Sequence, residues 1–290
     1  MLSSATPPSR IVVLAHPSIP QAIQESQRIQ EFFTSHKVES AIGLSDETAL
    51  LERIAAGEFD LAIILGGDGS ILRAGHICGQ SDTPVLGINY GRFGFLMEIQ
   101  RTAWHNYFPR LLKGEFRFEQ RMLLHAVHWR EDHVLGEWEV LNEVVVCRGQ
   151  LVRPLHLSAS VDGHFLTTYV ADGLIASPPT GSTAYALAAG GPIMPPELRN
   201  ILLIPVAPHL TVDRAIILSE GARVSICVKS DHPAVLSLDG HPPITLEQED
   251  RVEAFAGDHS LRFVRFQDAG YFYRNLMSHM EQNPSTGKSR

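Results

Sequence analysis

A chain of 290 residues with 44% hydrophobic side chains has enough apolar material for two ordinary cores, so two globular domains are expected. A formal charge of −8, with 14 histidines scattered singly, leaves no basic stripe and argues against nucleic acid as the main partner. Cys78, Cys147 and Cys227 are odd in number and far apart, which suggests neither a disulfide framework nor a zinc ribbon and fits a reducing, cytoplasmic setting, and no apolar run approaches the ~20 residues that span a bilayer.

Residues 1–10 read as a disordered tip. Ile11 to Ala15 then reads as a buried strand, followed by a helix with Ala22, Ile23, Ile29, Phe32 and Phe33 on one face. Leu50, Leu51 and Ile54 mark a second helix that Gly57 is placed to end. Next comes LAIILGGDGS, Leu61 to Ser70, in which a short branched apolar strand runs into three glycines around one aspartate before a helix that Ser70 opens. Gly66, Gly67 and Gly69 let a phosphate approach the backbone N–H groups at such a junction. A plain phosphate cradle gains nothing from a carboxylate at its centre, so Asp68 reads as a helix cap, a metal ligand or a base. The loop is neither a G-x-G-x-x-G fingerprint nor a Walker loop.

Pro84 to Ile88 is one more apolar strand, so the first hundred residues alternate strand and helix and predict a parallel sheet wound with helices. Asn89 to Leu96 (NYGRFGFL) is another tight turn at a strand end, where Phe93 and Phe95 could line a pocket or simply pack in the core. Trp104, Phe108 and Leu111 suggest a helix that Pro109 should kink or shorten.

From about Glu115 the texture changes to alternation and hairpins. Met122 to Trp129, Trp138 to Cys147, Leu155 to Val161, His164 to Val170, Arg214 to Ser219, Arg223 to Val228 and Leu261 to Phe266 read as strands of a mostly β domain. Two turns share a spelling, SVDGH at 160–164 and SLDGH at 237–241, and read as two unrelated hairpins. The expected boundaries are therefore 11–115 for the α/β domain and 116–268 for the β domain, with 269–280 as a C-terminal segment and 281–290 as a solvated tail.

Two stretches of the second domain stand out. Asn142 and Glu143 fall inside an otherwise apolar strand, Val140 to Cys147, where an amide beside a carboxylate is costly to bury without partners. Asp172 to Ile193 (DGLIASPPTGSTAYALAAGGPI) packs small and hydroxylated residues more densely than a core requires, with Ser182 or Thr183 able to cap a helix over Ser182 to Ala189. Thr183 and Tyr185 could offer hydrogen bonds or a stacking face to a base or ribose, and Arg73 and Arg153 are candidates for pairing with phosphate or carboxylate.

GGDGS at 66–70, LNEVVV at 141–146, the 172–193 stretch and SLDG at 237–240 resemble, in order and spacing, the NAD kinases, over nearly the whole chain from Ile11 to about Tyr273. A GGDG loop alone would be shared with diacylglycerol kinases, sphingosine kinases and some phosphofructokinases; the Asn-Glu pair and TGSTAY separate this family from them. The resemblance implies an N-terminal α/β domain and a C-terminal β domain, with the substrate in the cleft between them and the chain's end returning to the first domain. It implies Asp68 as the catalytic carboxylate with Gly69 beside the substrate, and Asn142, Glu143, Thr183, Ala184, Tyr185, Ala186, Leu187 and Ala188 around the dinucleotide. Asp172 is similar to the family aspartate at the nicotinamide end, Arg153 and Ala207 match with weaker claims, and Arg73 and His241 are further candidate contacts to NAD. The implied reaction moves a phosphoryl group from ATP, or from polyphosphate, to the 2′-hydroxyl of the adenosine ribose of NAD, with a divalent ion such as Mg²⁺ on the donor phosphates and no metal ligand from the protein alone. A dimer or tetramer is implied as well.

Three departures qualify the match. Ser70 stands where Thr or Asn is common, His241 where Gln is frequent, and the run from Pro208 to Ala215 is degraded from the family pattern. The alternatives are a lipid or other alcohol kinase sharing only the glycine loop, and a sensor that binds NAD or NADP without turnover.

Overall fold

The computed structural model describes residues 5–91, 94–149, 153–209 and 212–281. By their contacts they form two units, Met1–Gln120 with Ser260–Arg290, and Arg121–His259.

The first unit is a parallel sheet with helices. Strand β1 (Arg10–Ala15) is followed by helix α1 (Pro20–Ser35), β2 (Glu39–Leu44), α2 (Thr48–Ala55), β3 (Leu61–Gly66), α3 (Asp68–Gln80), β4 (Val85–Asn89), a two-residue β5 (Ile99–Gln100) and α4 (Trp104–Leu111). The strand order is β2-β1-β3-β4, with β5 added beyond β4. Every residue of β3 and β4 is buried, as expected for parallel strands covered on both faces. The register aligns Ala15 with Leu65 and Gly66 with Asn89, so the loops after β1, β3 and β4 leave from one edge. Because β2 lies on one side of β1 and β3 on the other, that edge carries a switch point at which open sheets bind ligands. Gly57, at φ +71°, ends α2 in the left-handed conformation that favours glycine. Pro109 is accommodated near the end of the eight-residue α4.

Strand β2 has no counterpart in the sequence reading. Residues 5–10, expected as a disordered tip, are held: the Ala5 N–H donates to the Gly114 carbonyl, and the Ser9 and Arg10 N–H groups donate to Asp60 Oδ2 at 3.0 and 2.9 Å. The unit limits fall at Gln120 and Ser260, where 115 and 268 were expected, because Phe116, Val264 and Phe266 pack in the first unit's core.

The second unit is a pair of antiparallel sheets. In chain order its elements are β6 (Arg117–Arg130), β7 (His133–Val140), β8 (Val144–Arg148), β9 (Leu155–Val161), β10 (His164–Ala171), β11 (Gly173–Ser177), a 3₁₀ turn (Pro179–Thr183), α5 (Tyr185–Ala188), β12 (Asn200–Val206), β13 (Ile216–Ser219), β14 (Val224–Val228), β15 (Ala234–Leu238), β16 (Ile244–Leu246) and β17 (Arg251–Arg265), with residues up to Gln120 and from Ser260 onward counted in the first unit. One sheet runs β10-β9-β14-β17, with β6 and β7 beyond; the other runs β13-β12-β11-β8-β15-β16. Alternate residues such as Leu155, Leu157 and Ala159, or Val144 and Val146, meet in the core. The second sheet is also covered on its other face, where Val145, Ile175, Leu202 and Ile204 pack with Ala186 and Met194. That double burial explains the unbroken VVV at 144–146. The final helix, α6 (Tyr271–Glu281), belongs to the first unit.

Two sequence-based elements are corrected here. The expected strand from Trp138 to Cys147 is two strands, broken at 141–143. The expected helix from Ser182 to Ala189 is a 3₁₀ turn and one short helical turn, parted at Ala184, whose ψ of −126° is not helical. Among the described residues, no helix is long and apolar enough to cross a membrane.

Candidate active site

In the first unit the chemistry gathers at the end of β3. Gly67 is the N-cap of α3 and Asp68 its first residue, a place where a carboxylate is favoured by the helix dipole. The Phe95 N–H donates to Asp68 Oδ2 at 2.9 Å and the Leu96 N–H to Oδ1 at 3.2 Å. This approach needs a glycine at 94, where an added Cβ would collide with all three atoms of the carboxylate group. The turn after β4 is pinned to the same spot, since the Tyr90 and Gly91 N–H groups donate to the Gly66 carbonyl at 2.7 and 3.2 Å.

The three loop glycines differ in purpose. A Cβ on Gly66 would strike Ser70 Oγ, so this glycine lets the helix turn back on the strand. Gly67 faces the Gly91 backbone, and a Cβ on Gly69 would meet nothing within 4 Å, leaving open space beside Asp68. Ser70 is buried, and its Oγ has no hydrogen-bond partner among the described residues. Arg73 lies further along α3 and is exposed. Phe93, named as a pocket residue, lies outside the described residues; Phe95 serves through its amide.

In the second unit the break between β7 and β8 is organised by an acceptor that the sequence reading treated only as part of a hairpin. The Asp239 carboxylate accepts the N–H groups of Leu141 at 2.7 Å, Asn142 at 2.7 Å and Glu143 at 3.0 Å. Asn142 and Glu143 are therefore not strand residues; they form a turn whose amides are satisfied by a buried charge. The two SxDGH turns share this device in part: both aspartates sit at positive φ, +53° and +49°, and Asp162 accepts one N–H from a neighbouring segment, that of Arg223 at 2.8 Å, where Asp239 accepts three. The spelling alone does not mark this contact, since the donors lie 96 to 98 residues before Asp239.

Ser177 Oγ donates to the Asn142 carbonyl at 2.7 Å, and a Cβ on Gly181 would collide with that same oxygen. The TGSTAY segment is thereby laid directly on the Asn142 turn. Ser182 Oγ donates to the Pro179 carbonyl at 2.6 Å and accepts the Met194 N–H at 3.0 Å, while Thr183 Oγ1 donates to the Thr180 carbonyl at 3.2 Å; neither caps a helix as expected. The Tyr185 N–H donates to Glu143. The other carboxylate oxygen of Glu143, Oε2, is buried with no partner among the described residues. Burial first, and then the like charge of Asp239, push the Glu143 carboxyl up to about 7, against the pull of the Tyr185 amide. Burial also raises the Tyr185 phenol, which feels the charges of Asp172, Arg148 and Glu143.

Asp172 pairs with Arg148 at 3.1 Å, and its N–H donates to the Val206 carbonyl, which brings Ala207 close to it. Ala207 is itself held at φ +46°. Ala186 is buried beneath the segment, with Leu187 and Ala188 following it in the same turn. His241 belongs to the Asp239 turn, where its N–H donates to the Leu238 carbonyl at 2.8 Å. Arg153 is placed elsewhere, in a cavity of about 460 Å³ whose lining includes His156, Lys229 and His232 and none of the Glu143 group.

Comparison with known proteins adds the following. Residues 9–116 match the family described as the ATP-NAD kinase N-terminal domain, and residues 141–266 match the ATP-NAD kinase C-terminal domain. The chain is similar to the NAD kinase of Syntrophotalea carbinolica, at 40% identity over 83% of this chain and 85% of the relative, and to that of Chloroflexus aggregans, at 35% identity over 94% and 99%. Among solved structures it is similar in fold to yeast NADH kinase complexed with NADH, with a TM-score of 0.80, 23% identity and coverage of 98% and 90%. It is similar as well to an NAD kinase from Archaeoglobus fulgidus in complex with ATP, with a TM-score of 0.77, 23% identity and coverage of 94% and 99%.

Proposed function

The chain belongs to the NAD kinase family and is a kinase that converts NAD to NADP, and from that premise we propose that Asp68 is the base for the acceptor hydroxyl. The observation that carries this is the grip of the Phe95 and Leu96 amides on its carboxylate. Two amide N–H donors fix the direction in which the carboxylate faces, which is what a base for a positioned hydroxyl requires. The open space beside Gly69 gives phosphates room to lie against the backbone.

In this reading ATP, or polyphosphate in its place, donates to the 2′-hydroxyl of the adenosine ribose. Glu143 Oε2, buried and unpartnered among the described residues, is suited to accept a hydrogen bond from a ribose or base donor. Thr183, Ala184 and Tyr185 flank it, and Asp172 with Arg148 offers a charged pair to the far end of the dinucleotide. In this reading a divalent ion such as Mg²⁺ would be carried on the donor phosphates and would neutralise their charge there.

Phosphoryl transfer has a loose transition state, so alignment and charge neutralisation supply most of the acceleration and a positioned base adds roughly 10²- to 10⁴-fold. Asp68→Asn is accordingly expected to keep the circular dichroism spectrum and the NAD affinity of the parent while losing most NADP formation. Turnover within a few-fold of the parent would remove Asp68 from the mechanism. Running the assay with ATP and with polyphosphate separately identifies the donor.

A further inference from the structure

Resting on the reading of Asp68 as the base, we infer that Arg265 is its positioning residue: Arg265 fixes the backbone at Leu96, whose amide holds the carboxylate, and sets a permanent positive charge within electrostatic reach of it.

Arg265 is only 6% exposed. A guanidinium taken out of water must be paired, and this one is: Nε donates to Glu119 Oε1 at 3.1 Å and one terminal nitrogen lies 3.3 Å from Glu98 Oε2. Both carboxylates are buried too, with side chains 7% and 4% exposed. Arg117 closes the balance on the other oxygen of Glu119 at 3.1 Å, and Glu98 accepts the Phe266 N–H at 2.7 Å. For stability alone, such a cluster is often matched by apolar packing. What apolar packing would not supply is the remaining contact, from Arg265 to the Leu96 carbonyl at 3.0 Å.

Leu96 is therefore held from both sides, its carbonyl by Arg265 and its N–H by Asp68. Its bond to Asp68, at 3.2 Å, is the longer of the two amide grips and the one most exposed to a shift of the chain. The charged groups around Arg265 are Glu119, Glu98, Arg117 and Asp68; burial works to lower the basicity of Arg265, while Glu119, Glu98 and Asp68 raise it. Asp68 thus feels the charge of Arg265 in return.

Arg265→Lys keeps the charge and loses the fork that reaches Glu119, Glu98 and Leu96 together. A double variant, Arg265→Gln with Glu119→Gln, removes one charge of each sign and guards against misfolding from an unpaired carboxylate. Both are measured by thermal melting, by kinetics with NAD and ATP, and by the pH profile of kcat, alone and combined with Asp68→Asn. The expected result is a kcat lowered roughly 10- to 100-fold with the KM for NAD within about twofold. The acidic limb of the kcat profile should move in the double variant and stay in place in Arg265→Lys, which keeps the positive charge. In the Asp68→Asn background neither change should lower the residual turnover further, since residues acting as one unit are not additive. Unchanged kcat in a folded variant, losses that multiply with Asp68→Asn, or failure of both variants to fold would make Arg265 a residue of stability alone. Near-normal turnover in Asp68→Asn by itself would instead remove the base assignment and this inference with it.

Discussion

Replacing Asp239 by Asn puts a number on the Asn142–Glu143 turn. Asn tolerates the φ of +49° found there, so the backbone is kept while the charge is removed. Three N–H groups now converge on one carboxylate. An amide oxygen serves two of them and presents its NH₂ to the third, leaving one buried donor unsatisfied at about 1–3 kcal/mol. The two retained bonds lose their charge assistance, at about 0.5–1 kcal/mol each. Against this stands the repulsion between Asp239 and Glu143, which contributes to holding Glu143 at about 7. Relief of that repulsion returns about 1 kcal/mol, and only where Glu143 is ionised. The net loss is therefore about 2–5 kcal/mol at pH 5 and about 1–4 kcal/mol at pH 8. Urea unfolding followed by tryptophan emission, with Trp129 and Trp138 in the same unit, measures both values. A loss below about 1 kcal/mol at either pH, or a greater loss at pH 8 than at pH 5, would refute the three-amide account.

Glu143→Gln tests the raised carboxyl: its folded value lies above the unfolded one, so its stabilising share is fully present below about 4.5 and gone above about 7. The variant should therefore match the parent near pH 4.5 and exceed it at pH 8 by up to ~3 kcal/mol in urea unfolding. Asp250 behaves in the opposite sense: burial works to raise it, but Arg130, the Glu247 amide and His128 hold it down at about 2, so its contribution is present above about 3.8 and lost as pH falls toward 2. Asp250→Asn should melt lower than the parent at pH 6 and show a shallower decline in Tm between pH 5 and pH 2.5. Gly94→Ala places a methyl group on the Asp68 carboxylate, and a displacement near 1 Å costs roughly 10²-fold in kcat with little change in Tm. Parent-like turnover in that variant would contradict the close approach.

The parallel sheet was legible because its strands are short, branched and buried on both faces, and the β unit because its hairpins announce themselves in alternation and Asp-Gly turns. Strand β2 was not, since ESAIGL is half-exposed and mixes polar, small and apolar residues without period. The Asn142–Glu143 break was read as continuous strand because its acceptor is nearly a hundred residues away, and a tertiary hydrogen bond leaves no local pattern. The same holds for Asp68. The glycines mark its surroundings, but its amide donors lie 27 and 28 residues downstream and belong to residues whose side chains say nothing about it. Arg265 is subtler still, because an arginine in an alternating strand reads as a solvated face, and only its burial between Glu98 and Glu119 reverses that.

The grip on Asp68 comes from main chain, and this decides what genetics can see of it. Side-chain replacement at Phe95 or Leu96 leaves both N–H groups in place, so an alanine scan across 94–96 would register Gly94, would register buried Leu96 only as lost packing, and would not report the contact these two amides make. Only proline, which abolishes the donor, or an ester link in place of the amide addresses them directly. Tolerance to substitution at Phe95 would therefore reflect a donor encoded in the backbone rather than idleness.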